Sequence, residues 1–246
     1  MIFTSLLSAF ALISGPYGVL GADWDGSRFA WYSSDSGNTF ANSLPIGNGR
    51  LGATVFGGSV EKLVLNENSM WSGPWQDRVN RNARGAVDDI WKKLLAGSVT
   101  EAGQSAMSNL AGDPTSPKAY NPLVNMGVDF GHSSLGTGYS RWLDTYQGTA
   151  GVNYTLNGVS YSREYVASYP HGVLAFRFST GTPGKLNVKL SLSRERSVVS
   201  QTASAASSGS SAYAMSLSAN SGQSSGAINF WSEARVTTIG GTCKPL

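Results

Sequence analysis

The sequence predicts a mainly β chain, a large antiparallel β-sandwich (supersandwich) with a small helical insertion. Three observations predict it. Apolar residues recur at a period of two in segment after segment, from Leu51-Ala53-Val55 to Tyr213-Met215-Leu217, the pattern of strands with one buried face. Asn157-Gly158 stands between two such runs, Val152–Leu156 and Val159–Tyr165, and this dipeptide is the strongest short-range sign of a tight hairpin. Only 13% of residues are charged, with 30 glycines, against about 25% charged in ordinary globular domains.

Residues 1 to 21 read as a signal peptide, with Phe3, Leu6, Leu7 and Ala9–Ile13 as its apolar core and Val19 and Gly21 before the cleavage point. That core is too short to cross a bilayer, which takes about 20 residues. The chain is therefore expected to be secreted, and no other run could span a membrane. The remainder, residues 22 to 246, is long enough for one large β domain. From Asp23 to Asn42 the chain is aromatic and polar, and Trp31 and Tyr32 read as core or sheet-face aromatics rather than sugar platforms.

The stretch from Ser43 to Gly73 organises the rest of the chain. Glycines at 47, 49, 52, 57 and 58 punctuate it, marking positive φ or close backbone approach. Leu51, Ala53 and Val55, then Leu63 and Leu65, alternate as two strands. A polar segment carrying Asn66, Glu67 and Trp71 comes next. Gly47, Gly49 and Gly52 match G-x-G-x-x-G, with Glu67 twenty residues after Gly47. A dinucleotide site needs a helix after those glycines; Thr54-Val55-Phe56 favours a strand instead, which excludes that reading.

Residues 86 to 112 form the helical island. Val87, Ile90, Trp91, Leu94 and Leu95 make one amphipathic stripe. Ser98 and Glu101 are spaced as a capping box for a second helix, with Ala102, Ala106, Met107 and Leu110 turned inward. Strands resume with Val124–Phe130, Tyr139–Asp144, the Asn157-Gly158 hairpin, Val166–Phe178 and Leu186–Leu192. Residues 200 to 226, rich in Ser, Ala and Gly, are expected to hold one strand around Tyr213–Leu217 between flexible loops. Ala227–Val236 is the last strand.

The segments Leu44-Pro45-Ile46-Gly47-Asn48-Gly49-Arg50-Leu51-Gly52-Ala53 and Leu65-Asn66-Glu67-Asn68-Ser69-Met70-Trp71-Ser72-Gly73-Pro74 resemble the N-terminal domain of glycoside hydrolase family 95, the α-L-fucosidase type. Trp75–Asn80 is similar to the fungal and actinobacterial branch, and Tyr139-Ser140-Arg141-Trp142-Leu143-Asp144 to a strand of the family domain. The resemblance implies inverting hydrolysis of terminal α-L-fucosides by the full-length protein. It places the catalytic groups in a later (α/α)-barrel, so no catalytic residue is expected in this chain. It also implies that the β domain is C-terminally incomplete here and stops before the barrel. Carbohydrate and the barrel domain are the implied partners.

The residues themselves agree with a non-catalytic part. The 15 Asp and Glu are scattered, and spacing picks out no pair, whereas glycosidases use two carboxylates about the scissile bond. His132 and His171 lack metal-ligand spacing, and no cofactor or metal is implied. A net charge of +3 with no basic cluster gives no sign of nucleic-acid binding. Arg50, Asn66, Glu67 and Trp71 are the candidates for a sugar-adjacent or interface role; satisfying backbone groups in a turn is the alternative. Asn153-Tyr154-Thr155 is the glycosylation candidate. The other overall reading is a free-standing secreted carbohydrate-binding or inert β-sandwich protein.

Overall fold

The computed structural model describes residues 25–205, 212–222 and 226–244, with side chains left out for 203–205. The signal-peptide segment at 1–21 lies outside these residues. The chain divides into two compact units: a β unit comprising Met1–Met70, Asn121–Gly222 and Asn229–Leu246, and a smaller one of Trp71–Tyr120 with Gln223–Ile228.

In the β unit the first sheet contains β1 (Phe29–Tyr32), β6 (Thr137–Asp144), β7 (Thr149–Leu156), β8 (Val159–Ser168) and β9 (Val173–Thr180), in that spatial order. The second runs β10 (Lys189–Ser193), β5 (Val124–Asp129), β4 (Val60–Glu67), β3 (Leu51–Val55), β2 (Leu44–Gly47). A third has β11 (Val198–Ala205), β12 (Ala212–Asn220) and β13 (Asn229–Thr237). Every pairing is antiparallel. One core joins the three: Ile46, Val55 and Leu63 from the second sheet, Val152, Tyr154 and Tyr165 from the first, and Leu217 and Ala219 from β12. Each large apolar side chain so buried contributes about 1.5–3 kcal/mol. The β-sandwich expected from alternation is the architecture found.

The turn at Asn157-Gly158 has φ of 52° and 76°, the left-handed pair that matches the twist of the flanking strands. Gly151 has a different reason. The indole of Trp142, from the neighbouring strand β6, lies where a Cβ on Gly151 would stand. Trp142 is only 3% exposed as a result.

Three expectations need correction. Val166–Phe178 is not one strand: β8 ends at Ser168 and β9 begins at Val173, with a turn between them that holds Gly172 at φ of 62°. Residues 200 to 226 hold most of β11 as well as β12, which pair over Val198–Ala219 to Ala205–Tyr213. Backbone bonding builds this ladder regardless of small side chains, and Thr202 Oγ1 and Ser216 Oγ add a hydroxyl pair at 2.7 Å. In the smaller unit, α1 (Ala83–Leu95) and α2 (Val99–Asn109) are present, but Ser98 makes no side-chain cap bond. Ile90 is the buried residue of α1 and Ala102 that of α2, whereas Trp91, Leu95 and Met107 are exposed. The apolar stripes do form helices, but Met107 of α2 and Leu110 at its C-terminal end are exposed where they are expected to turn inward, and of the α1 stripe Val87, Trp91, Leu94 and Leu95 are exposed too. Among the described residues no helix is long and apolar enough to cross a membrane.

Candidate functional site

Of the four sequence candidates, Arg50 and Glu67 are brought together. Asn48 shapes the β2–β3 turn: its Oδ1 accepts from the backbone N–H of Arg50 and of Leu51 at 3.1 and 2.8 Å, and its Nδ2 donates to the Ser168 carbonyl at 2.9 Å. Gly49 takes φ of 87° within it. The turn aims Arg50 at the end of β4, and Arg50 Nε donates to Glu67 Oε1 at 3.0 Å. The other carboxylate oxygen accepts from the Ser69 N–H at 2.9 Å and from the Ser69 hydroxyl at 2.5 Å. Desolvation is the largest single influence on the Glu67 carboxyl and pushes it up. The bonds from Ser69 and Arg50 together outweigh it, and the pKa ends below the ordinary carboxylate value. A catalytic acid needs the opposite shift. Glu67 is an ionised acceptor that closes a turn.

Asn66 is half-buried on β4 opposite Gly52, with no side-chain hydrogen bond among the described residues. Trp71 belongs to the smaller unit, where it bridges to Tyr120 with ring centroids 5.3 Å apart at 71°. Asn153 is half-buried on β7 between the core residues Val152 and Tyr154, so its side chain leaves the sandwich on the outer face.

The denser polar constellation lies inside the sandwich. Glu61 and Arg163 are fully buried and approach to 3.4 Å. Glu61 accepts from the N–H groups of Phe56 and Gly57, each at 2.9 Å, and from the Tyr165 hydroxyl at 3.2 Å. Burial pushes the Glu61 carboxyl up, against the pull of these donors and of Arg163. Arg163 donates to the Gly58 carbonyl at 2.6 Å and to the Tyr154 hydroxyl at 3.0 Å, and its guanidinium lies 4.1 Å from the Phe130 ring centroid. Burial alone would lower the Arg163 pKa; Tyr165, Tyr154 and Glu61 together outweigh it and hold the side chain charged. Tyr154 continues the chain to His132, whose Nδ1 is 3.0 Å from the phenolic oxygen.

Arg163 has only protons to give. The Tyr154 oxygen must accept from it, and His132 Nδ1 is the acceptor within reach of the Tyr154 O–H. With that donor assigned, the imidazole carries its proton on Nε2. Desolvation, followed by the Arg163 charge, lowers the His132 pKa, although Asp129 raises it. The ring therefore stays neutral at neutral pH.

His132 opens onto a recess of about 430 Å³ lined also by Ser133, Ser134, Asn157, Tyr161 and Lys185. A second, of about 190 Å³, includes Asp35, Asn38, Ser59 and Lys62. Neither lining holds two carboxylates. Among the described residues no three His, Cys, Asp or Glu side chains are grouped as metal ligands.

Sequence reasoning did not single out Glu61 or Arg163, and it met Arg141, which is buried and donates to the Asn42 carbonyl at 2.8 Å, only as part of a motif. Strand parity carries the signal. Glu61 shares a face with Leu63, Arg163 with Tyr161 and Tyr165, and Arg141 with Tyr139 and Leu143. A charge on the apolar phase of a strand marks a buried, partnered group.

Comparison with known proteins adds two findings. A family model described as glycosyl hydrolase family 65, N-terminal domain, matches residues 31–245. The number is 65 where the sequence resemblance was to family 95, and the relatives carry the fucosidase name that the resemblance implied. One is "Alpha-L-fucosidase 2" of Arabidopsis thaliana, 34% identical over 158 residues, covering 63% of this chain and 19% of that protein. Another is "Probable alpha-fucosidase A" of Aspergillus niger, 27% identical over 190 residues, covering 74% of this chain and 23% of that protein. The chain thus spans about a fifth of the length of these relatives.

Proposed function

Since the chain belongs to the glycosyl hydrolase family 65 N-terminal domain family, we propose that it is the non-catalytic N-terminal β-sandwich of a secreted α-L-fucosidase. The observation that carries this is the family match over 31–245 together with two relatives named as α-fucosidases. In this reading the full-length protein hydrolyses terminal α-L-fucosides with inversion, through acid and base groups in a helical barrel beyond the β domain. The lowered pKa of Glu67 and the two recesses, neither lined by a carboxylate pair, support assigning no chemistry to the β unit. Arg50 and Glu67 then hold the β2–β3 turn in shape, and the barrel and fucosylated glycans are the partners. Trp75–Asn80 supports a fungal-type branch.

The test is an assay on a 1,2-α-L-fucosylated oligosaccharide, using the chain alone, a separately expressed barrel, and the two together. Turnover is expected only where the barrel is present, with the β-anomer of fucose released first, as inversion requires. Turnover by the chain alone, abolished by Glu67→Gln, would show the active site to be in the β unit. Secretion leads to a second expectation, an N-glycan on Asn153 in the exported protein, read by mass spectrometry of the peptide. An unmodified Asn153 removes that assignment.

A further inference from the structure

We propose that the recess beside His132 binds an acidic sugar, a hexuronic acid unit of a glycan, with its carboxylate held between Lys185 and the imidazole. The recess falls within the range of about 300–1,000 Å³ that ligand pockets occupy. It is built by the Gly131–Ser134 loop, the β7–β8 hairpin and the loop carrying Lys185.

Its floor is rigid. Tyr161 stacks on Tyr154 at 5.2 Å and 17°, and His132 meets Tyr161 at 4.5 Å. The Tyr161 hydroxyl donates to the Lys185 carbonyl at 3.3 Å, tying the loop to β8. Behind this floor, the chain from buried Glu61 through Arg163 and Tyr154 fixes the imidazole with its proton on Nε2. No described residue accepts that proton. A buried ion pair that orients one half-exposed ring is the kind of support a preorganised binding group has.

The chemistry of the lining selects the ligand. His132 offers an N–H, Ser133 and Ser134 hydroxyls, Asn157 an amide and Lys185 an ammonium; no Asp or Glu is among them. The nearby Asp129 carboxylate is turned to the Gly131 N–H at 2.8 Å. A neutral sugar presents hydroxyl donors that carboxylates accept well, and this lining has none. A sugar carboxylate instead receives charge-assisted bonds from an ammonium and an N–H. That the ligand is a sugar follows from the family reading; the site and its preference for an anion do not depend on it.

The experiment is calorimetric titration of the whole protein with galacturonic acid, glucuronic acid, glucose and sodium acetate, each in low and high salt. One uronic acid at least is expected to bind, more weakly in high salt, and glucose and acetate about tenfold or more weakly. Lys185→Met, an exposed position, is expected to fold with an unchanged melting temperature and to weaken uronic acid binding about tenfold or more. Glucose binding as tightly as the uronic acids overturns the acidic assignment. Acetate binding equally tightly reduces the site to a bare anion site and also overturns it. So does an unaffected Lys185→Met, or no binding by either uronic acid. None of these outcomes touches the family reading, which is judged on fucoside turnover.

Discussion

Two of the Arg–Glu pairs in the β unit serve opposite ends. Arg50 and Glu67 meet at 3.0 Å with side chains 78% and 13% exposed; Arg163 and Glu61 meet at 3.4 Å with both at 0%. The shorter contact is the weaker one. Water solvates Arg50 whether or not Glu67 is there, so the pair is worth at most about 1 kcal/mol. Neither Arg163 nor Glu61 has water to fall back on, and each depends on the other and on neutral partners. The difference teaches that distance alone does not rank ion pairs. What is left behind when one partner goes does.

Arg163→Met tests this most strongly. It strands the Glu61 carboxylate and removes the donor to Tyr154, and is expected to cost about 3–5 kcal/mol in denaturant unfolding. Many buried ion pairs can be replaced by apolar residues with little loss. Here Glu61→Leu combined with Arg163→Met is expected not to recover stability, because Glu61 also serves the Phe56 and Gly57 N–H groups and the Tyr165 hydroxyl. Recovery in the double variant would break the comparison.

A smaller loss, about 1–3 kcal/mol, is expected from Tyr154→Phe, which unlinks Arg163 from His132 and leaves the ring stacking in place. Its signature is a released His132 tautomer, read from imidazole nitrogen NMR shifts.

Next comes pH. The His132 pKa is lowered in the fold from 6.5, so the unfolded chain binds a proton where the native ring does not. Stability from this group is full above about 6.5 and is lost as pH falls through the lowered folded pKa. Melting temperatures between pH 7.5 and 5 should decline, and should do so less in His132→Gln. Arg50→Met closes the series with a loss under about 1 kcal/mol. A larger loss would place the surface pair in the class of the buried one.

Much of the sandwich could be read from alternation. Leu63, Val152 and Tyr154 fall on the core face as their period requires, and Asn157-Gly158 turns where its dihedrals allow. The β11 part of the 200–226 segment was harder because its serines and alanines leave no apolar pattern, while cross-strand backbone bonds ignore side-chain chemistry. For α1 the period identified a helix, but Trp91 and Leu95 are exposed, since periodicity fixes a face and not what covers it. The candidate site was legible only in part. Arg50 and Glu67 stand in a glycine-marked turn and do meet. Glu61 and Arg163 were hidden because a charge is read as surface until its strand parity is counted.

The close packing of Trp142 over Gly151 gives the protein a built-in optical probe. Of the described tryptophans it alone is shielded, while Trp31, Trp71, Trp75, Trp91 and Trp231 are between 43% and 85% exposed. Its emission is therefore expected to be blue-shifted and to resist acrylamide, whereas theirs should be red-shifted and quenchable. During unfolding the blue component tracks the β6–β7 seam. Trp71, Trp75 and Trp91, all in the smaller unit, contribute only to the red. Trp31 and Trp231, exposed on strands of the β unit, share that red component, so the blue component alone is the specific reporter of the β6–β7 seam.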